Sequence, residues 1–298
     1  MTVLPDSHRL LLEAKLRPVQ GERFQPAGFP DLGPAEMVTP SGRTHLLVES
    51  AQSMANHLEM AIWDPLKGDL VEPLRGMPYV RQGSVNSVTE AHRVASPYLL
   101  PLVVEEIKRE LNWGGKRRPE MHEVARVLLR YDPGSLLHGV FFSMMKPGNV
   151  KLPRLLSAFI EARDVTMVPS GGVKFDHNDP SGPSKDGKGH VPFARSEYLS
   201  DEIVAFFNLD LVQLRSYGLS DLAAGFLFDL ALYKIRRVLD RGLRLRTACD
   251  FEVVELRVTR PAEGFELPSE AELSHRLGMS VSALSASGEF PDPAVWEF

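Results

Sequence analysis

Apolar and polar positions alternate near the start of the chain. The apolar side of the alternation over residues 9–19 is formed by Leu10, Leu12, Ala14 and Leu16. The other side is mostly charged, so this period of two predicts a half-buried strand that ends at Pro18. Residues 20–43 show no apolar period and are rich in glycine and proline, which predicts a long loop. Arg23, Phe24 and Gln25 in this loop would serve a nucleotide, and equally a contact between subunits.

The period changes after the apolar run Leu46–Val48, which is typical of a buried strand end. Apolar residues then recur at the i, i+3, i+4, i+7 spacing of one buried helical face and predict a helix over 50–62. Ser50 occupies the N-cap position of this helix. The polar face of its first turns carries three uncharged hydrogen-bonding side chains, Gln52, Ser53 and Asn56. Such a helix start suits a phosphate, because unpaired N–H groups and the positive end of the dipole point at it. An ordinary capped amphipathic helix has the same pattern.

The remaining periodic segments complete an α+β pattern. We expect helices over 101–112 and 119–130, strands over 136–143, 157–168 and 202–212, a helix over 221–241 and a strand over 243–258. Two extended arms within 169–200 flank a middle rich in Gly and Pro, which predicts a projecting hairpin, either a functional arm or a plain surface loop. The order strand, helix, strand, strand, helix, strand is that of an RRM-like (ferredoxin-like) domain.

Composition narrows the class of protein. The 298 residues contain no run long enough for a transmembrane helix and no signal peptide, so we expect a cytoplasmic protein without membrane contact. Cys249 is the only cysteine, which excludes an internal disulfide and a cysteine-built zinc site. The net charge of −5 conceals a basic stretch at 234–246 and an acidic tail after 262. A polyanionic partner is therefore permitted.

Catalytic motifs are lacking in the sequence. It contains no G-x-x-x-x-G-K-[ST], no G-x-G-x-x-G and no G-x-S-x-G, and its histidines do not have the H-E-x-x-H spacing. Asp31, in a Pro-Asp turn, could act as an acid or base, but a turn explains it equally well. We therefore predict no catalytic residue, no metal site and no cofactor.

Several separate motifs along the chain belong together. They are Arg17–Gly33, Leu47–Asn56, Glu90–Tyr98, Ala158–Ala162, Ser170–Lys174, Phe207–Leu211 and Leu243–Asp250. These motifs resemble the backbone subunit of the type I-G (formerly I-U) CRISPR Cascade, a member of the seventh Cas family in the RAMP superfamily. The similarity runs from about Arg9 to Val258 and leaves the acidic tail outside.

The resemblance implies an RRM-like palm with a helical insertion and a protruding β-hairpin thumb. The implied sections are palm at 1–62, 136–168 and 201–258, insertion at 63–135, thumb at 169–200 and an acidic C-terminal extension at 259–298. Copies of such a subunit form a helical filament along the guide RNA (crRNA), which pairs with the target DNA strand in antiviral defence. The implied protein partners are other copies and a Cas5/Cas6-like subunit of the same effector.

The resemblance places the helix start at Ser50, Gln52 and Ser53 against the guide backbone. Phosphate contacts by basic and amide side chains suit a binder that does not read sequence. The full set of expected RNA-binding residues is Arg17, Gln20, Arg23, Phe24, Gln25, Ser50, Gln52, Ser53, Asn56, Lys174, Arg244 and Arg246. An arginine on a strand would equally suit a salt bridge between subunits.

Two alternatives stay open at this point. Related subunits of type III effectors cut target RNA with a loop aspartate, and Asp31 is the residue that would do so here. A stand-alone cytoplasmic enzyme could instead use the 20–43 loop as a lid. The absence of a nucleophile–base pair or metal constellation in the sequence favours a non-catalytic scaffold.

Overall fold

The computed structural model describes residues 2–29, 33–113, 117–143 and 149–298. The first part of the chain forms four strands and a helix. They are β1 (Arg9–Pro18), β2 (Gly28–Phe29), β3 (Gly33–Val38), β4 (Thr44–Glu49) and α1 (Ala51–Met60). The region predicted as a loop at 20–43 therefore contains two strands, β2 and β3. β2 pairs antiparallel with β3, and β3 pairs antiparallel with β4.

The next part, up to residue 152, contains short strands and three helices. They are β5 (Trp63–Asp64), β6 (Asp69–Leu70), β7 (Tyr79–Gln82), β8 (Val85–Asn86), α2 (Leu100–Glu110), α3 (Met121–Tyr131), α4 (Pro133–His138), β9 (Val140–Phe142) and β10 (Val150–Leu152). The strand predicted over 136–143 is wrong in its first half, which is helical. Pro133 starts α4 at a first-turn position, and Gly139, with φ of +80°, ends it.

The last part contains the longest elements. They are β11 (Leu156–Phe175), β12 (His190–Asp210), α5 (Leu211–Ser216), α6 (Asp221–Asp240), β13 (Leu243–Arg246), β14 (Cys249–Arg260), α7 (Glu270–Ser287) and β15 (Val295–Glu297). β11 and β12 pair continuously from the sheet outward to Phe175 opposite His190. Their outer halves form the hairpin predicted at 169–200, which we call the thumb hairpin.

One antiparallel sheet organises the fold, with strand order β13-β14-β1-β12-β11-β4-β3-β2. The four inner strands are β14, β1, β12 and β11. Along the chain, these strands and the two helices that pack on them follow in the order β1, α1, β11, β12, α6 and β14. One side of β1 is buried, with Leu10 and Leu12 at 0% and 1% exposure, and α6 is buried along most of its length. The predicted combination of helices and strands is therefore confirmed, in the form of one large antiparallel sheet, and the core lies where α1 and α6 pack on this sheet.

The opposite face of the sheet carries cross-strand ion pairs, which join β1 to β14. They are Glu13 with Arg257 at 2.5 Å, Lys15 with Glu255 at 3.2 Å and Arg17 with Glu252 at 2.5 Å. Beside them Phe206 of β12 stacks on Phe159 of β11, with ring centroids 5.1 Å apart. Val204 on this side of β12 is 2% exposed but Phe206 is only partly buried, so the strand predicted to be covered on both faces is covered on this face only in part.

One further prediction needs correction. The single strand predicted over 243–258 is a hairpin of β13 and β14, because the chain turns at Ala248, whose φ is +58°. The acidic extension after residue 259 is ordered: α7 packs against α6, and β15 pairs in parallel with β7. Trp296 of β15 stacks on Tyr131 of α3 at 4.4 Å, so buried aromatic surface holds the tail in place. No helix among the described residues is long and apolar enough to cross a membrane.

Candidate nucleic-acid interface

The start of α1 is capped as the sequence predicts. Ser50 has the extended backbone of an N-cap, and its Oγ accepts a hydrogen bond from the Ser53 N–H at 3.3 Å. Gln52 and Asn56 lie exposed on the outer face, where the Gln52 amide donates to Asn56 Oδ1 at 3.4 Å. Of the four N–H groups that a helix start leaves without intrahelical partners, the cap satisfies one. The helix start therefore presents backbone donors together with two exposed amides.

A buried carboxylate lies directly beneath this helix start. Glu49, the last residue of β4, is 1% exposed and accepts a hydrogen bond from the Ser53 hydroxyl. Arg246 reaches it from β13 and forms an ion pair with it. Because the carboxylate is neutralised, the 26%-exposed guanidinium of Arg246 is held beside the first turn of α1. We call Glu49, Ser50, Gln52, Ser53 and Arg246 the helix-start cluster.

Two neighbours complete the surroundings of this cluster. His57 Nε2 lies 3.5 Å from Glu49 Oε1, and burial lowers the pKa of the imidazole, which keeps it neutral at pH 7. Arg154, just before β11, donates a hydrogen bond to the side-chain oxygen of Gln52. Arg154 was not predicted from the sequence, because only the packing of α1 beside the start of β11 brings it to the helix start.

Phe24 is not available to a nucleotide, and its prediction as an RNA-binding residue is withdrawn. Its side chain is 1% exposed and packs against Phe251 and Tyr198, with ring centroids 5.7 Å and 6.4 Å away. Its backbone forms an antiparallel bridge with Tyr198, at 3.0 Å and 2.9 Å. Phe24 therefore fixes the 20–27 segment to the base of the thumb hairpin.

The residues on either side of Phe24 reach the thumb hairpin. Arg23 Nη1 lies 3.3 Å from Glu197 Oε2, and Arg195 Nη2 lies 2.5 Å from Glu197 Oε1. Gln25 accepts from Arg195 at 3.5 Å, and its N–H donates to the Ala248 carbonyl at 2.7 Å. We call Arg23, Gln25, Arg195 and Glu197 the thumb-base cluster. Since Ala248 follows the β13 strand of Arg246, Gln25 connects this cluster to the helix-start cluster.

The other predicted RNA-binding residues lie outside these two clusters. Arg17 is ion-paired with Glu252 on the open sheet face, Gln20 is exposed in the loop, and Arg244 is exposed on β13. Lys174 is exposed on the thumb hairpin. By strand register, Lys174 shares a hairpin face with Phe193 and Arg195.

Phe193 and Arg195 were missed by the sequence analysis. The ring of Phe193 is 50% exposed and covers Gly172, where a Cβ would come within 3.1 Å of it. A Gly opposite an aromatic in two paired arms is the one sequence signal that could have indicated this contact. Arg195 carried no local signal, because its carboxylate partner only becomes buried when the 20–27 segment packs on the hairpin.

The residue named for catalysis, Asp31, lies outside the described residues. Among the residues that are described, no group of three or more His, Cys, Asp or Glu side chains is arranged to hold a metal ion. The carboxylates of the two clusters, Glu49 and Glu197, are buried, and the groups that solvent reaches are hydrogen-bond donors and cations, which suits binding of an anionic backbone.

Comparison with known proteins gives one family match. Residues 10–167, more than half of the chain, match the family of CRISPR-associated protein GSU0053. No curated protein matches this sequence. Among solved structures, a chain of a "CRISPR RNA-guided surveillance complex, pre-nicking" is similar at 14% identity and a TM-score of 0.48, over 84% of this chain and 75% of that one. Thermofilum pendens Csc2 is similar at 9% identity and a TM-score of 0.34, over 95% and 77%.

Proposed function

This chain belongs to the family of CRISPR-associated protein GSU0053, and on that premise we propose that it is a guide-RNA-binding backbone subunit of a type I CRISPR Cascade. In this proposal it is a scaffold without catalytic activity. The observation that carries the proposal is the convergence of four chain segments on one surface. The segments are the helix start after β4, the 20–27 loop, the base of the thumb hairpin and the β13–β14 turn.

The chemistry of this surface supports backbone contacts rather than base reading. Arginine guanidinium groups, amides and a helix N-terminus bind phosphate and sugar oxygens whatever the sequence. The aromatic side chain expected there, Phe24, is buried and cannot stack on a base. A subunit that contacts only the backbone leaves the bases of its guide free to pair with the target DNA strand.

The remaining features of the proposal concern assembly. We take the four inner strands with α1 and α6 as an RRM-like palm, 63–135 as a helical insertion and 169–200 as the thumb. Copies stack into a filament along the guide, each thumb reaching over the RNA, and a Cas5/Cas6-like subunit joins the same effector. We place this assembly in the cytoplasm. The projection of the thumb hairpin beyond the sheet supports the reach that such an arrangement needs.

The test is to co-express the tagged chain with untagged partner subunits and a guide array, purify the complex and sequence any bound RNA. We expect discrete repeat–spacer RNA in a multi-copy complex. The matched variants are Arg246→Ala, which should reduce the RNA recovered, and Arg75→Ala, an ion-paired arginine of the insertion, which should not. Purified protein free of RNA would contradict the proposal.

A further inference from the structure

The carboxylate of Glu197 is buried although it belongs to a hairpin that is otherwise largely exposed. The residue is 4% exposed, whereas Ser196 before it and Ala194 farther along the arm are exposed; Tyr198 after it is buried at the base of the hairpin. A lone buried carboxylate is costly unless it is paired and hydrogen-bonded. Glu197 is paired twice, through Oε1 with Arg195 and through Oε2 with Arg23.

The two arginines are more accessible than the carboxylate they share. The side chain of Arg23 is 60% exposed and that of Arg195 is 33% exposed, against 5% for Glu197. Two guanidinium groups and one carboxylate leave one positive charge, and that charge lies on the solvent side. The buried carboxylate of Glu197 therefore holds the two more exposed guanidinium groups in place.

The direction of Arg23 is fixed by the rest of the thumb-base cluster. The bridge between Phe24 and Tyr198 holds its backbone, and Glu197 holds one edge of its guanidinium. Arg195 is occupied by Glu197 and Gln25, so Arg23 is the cation with the more open hydrogen-bonding edge. A planar guanidinium with a fixed direction suits bidentate contact with a phosphodiester.

We propose that Glu197 and Arg195 hold the Arg23 guanidinium in the direction in which it binds a phosphodiester, so that the thumb-base cluster is the phosphodiester-binding part of this surface at the thumb. This inference rests on the proposed function, because the phosphodiester is that of the bound RNA. Glu197 is a positioning residue: it does not face the RNA but keeps the Arg23 guanidinium in place. Its negative charge therefore helps the chain to bind a polyanion.

A negative charge that strengthens the binding of RNA is unusual, and substitution of Glu197 tests it. Binding of a fluorescein-labelled single-stranded RNA is measured by anisotropy for the wild type, Glu197→Gln and Glu22→Gln. Glu22 is an exposed acid beside Arg23, so its substitution removes the same charge without touching the support. We expect Glu197→Gln to weaken binding by about threefold to tenfold, and Glu22→Gln to leave it unchanged or slightly tighter.

The second arm uses the arginine itself, because its side chain is 60% exposed and Glu197 keeps Arg195 as a partner when Arg23 is removed. Arg23→Ala should weaken binding and lower the slope of log affinity against log salt by about 0.7, measured between about 50 and about 200 mM. Arg75→Ala is the control, since it removes an ion-paired arginine of the insertion. If Glu197→Gln fails to fold, the Arg23 slope still decides the question.

The outcomes separate the two proposals. Wild-type protein that binds no RNA, alone or in the co-expressed complex, overturns the proposed function and this site with it. Wild-type binding combined with an unchanged slope for Arg23→Ala overturns the thumb-base site alone. Tighter binding by Glu197→Gln would likewise overturn it, since the carboxylate would then act only as a repelling charge.

Discussion

The two ends of α1 differ in the charged groups beside them. The carboxylate–arginine pair at the amino end is partly accessible to solvent, whereas the larger charged group at the carboxyl end is buried. The first is the helix-start cluster, in which Arg246 is 26% exposed. The second, which we call the inner cluster, lies where α1 and α6 meet the segment from Arg93 to Gly139. It consists of Glu59, Arg93, Asp132, His138 and Lys234, each 5% exposed or less.

The inner cluster is held by a network of direct contacts. Arg93 donates to Glu59 at 2.5 Å and to the Gly139 carbonyl at 3.0 Å, and Lys234 Nζ lies 2.9 Å from His138 Nε2. Burial raises the pKa of Asp132, lowers that of His138 well below its usual value and lowers that of Lys234 to about 8. These groups come from α1, α4, α6 and the connection before α2.

The comparison shows that exposure, rather than residue type, separates the two roles. A charged group that solvent reaches is available to a ligand, whereas one sealed between two parts of the fold can only hold those parts together. In the proposed function, the same short helix would serve RNA recognition at one end, and at the other end it packs against the segment from Arg93 to Gly139. Substitutions at the two ends should affect different measurements.

The largest effect is expected at the inner cluster. Arg93→Met should lower the free energy of unfolding by about 3–5 kcal/mol, because Glu59 would be left as a buried charge without its partner. Denaturant unfolding at neutral pH measures this, with Arg75→Met as the exposed control. A loss no larger than that of the control would mean that water reaches Glu59, and the contrast between the two ends would disappear.

A smaller effect is expected from the pKa of Lys234. In the folded protein this pKa is about 8, below the usual 10.5, so between these values the unfolded chain holds a proton that the folded chain has released. The stability of the wild type relative to Lys234→Met should therefore rise with pH, by at most ~1.4 kcal/mol per pH unit in that window. Unfolding curves from about pH 8 to about pH 10 measure this difference.

The control for that series is Lys67→Met, because the side chain of Lys67 is 55% exposed. Glu59, Asp132, Arg93 and His138 all face Lys234, so each is kept unchanged in both proteins. A flat difference curve for Lys234→Met would contradict a buried, destabilised ammonium group.

The smallest change in the free energy of unfolding is expected at the helix start. Substitutions there should lower the affinity for RNA instead. Gln52→Ala with Asn56→Ala should change the free energy of unfolding by less than about 0.5 kcal/mol, since both side chains are exposed and alanine favours helix. RNA affinity should fall by about threefold to tenfold, measured by anisotropy. Gln82→Ala, an exposed amide on β7, should change neither quantity. Equal RNA affinity for the double variant would exclude its amides from the interface.

Features set by neighbouring residues were predictable from the sequence. The cap at Ser50, the alternation along β1 and the helix after residue 220 depend on short-range hydrogen bonding and period, and the structure has all three. The family resemblance is also confirmed, because the match at 10–167 covers several of the motifs that indicated it.

Features set by distant partners were not predictable. In the sequence, Phe24 is an aromatic residue between a cation and an amide. Its place in the core becomes visible only from its ring contacts with Tyr198 and Phe251. Arg246 was predicted as a phosphate ligand, but its pairing with Glu49 depends on the β13–β14 turn. Arg154 and Arg195 had no local pattern at all. The surroundings of each of these residues depend on tertiary contacts, which the hydrophobic period and the secondary-structure propensity of the sequence do not reveal.

The open face of the sheet has a consequence for how a polyanion approaches the molecule. Three charged β1 residues there, Glu13, Lys15 and Arg17, are each matched by an opposite charge on β14. Paired charges so close together produce almost no potential at a distance, so this row of the sheet neither attracts nor repels a nucleic acid. The two arginines that share Glu197 at the base of the thumb leave a net positive charge there, so in the proposed function an arriving strand would be drawn to that side of the molecule.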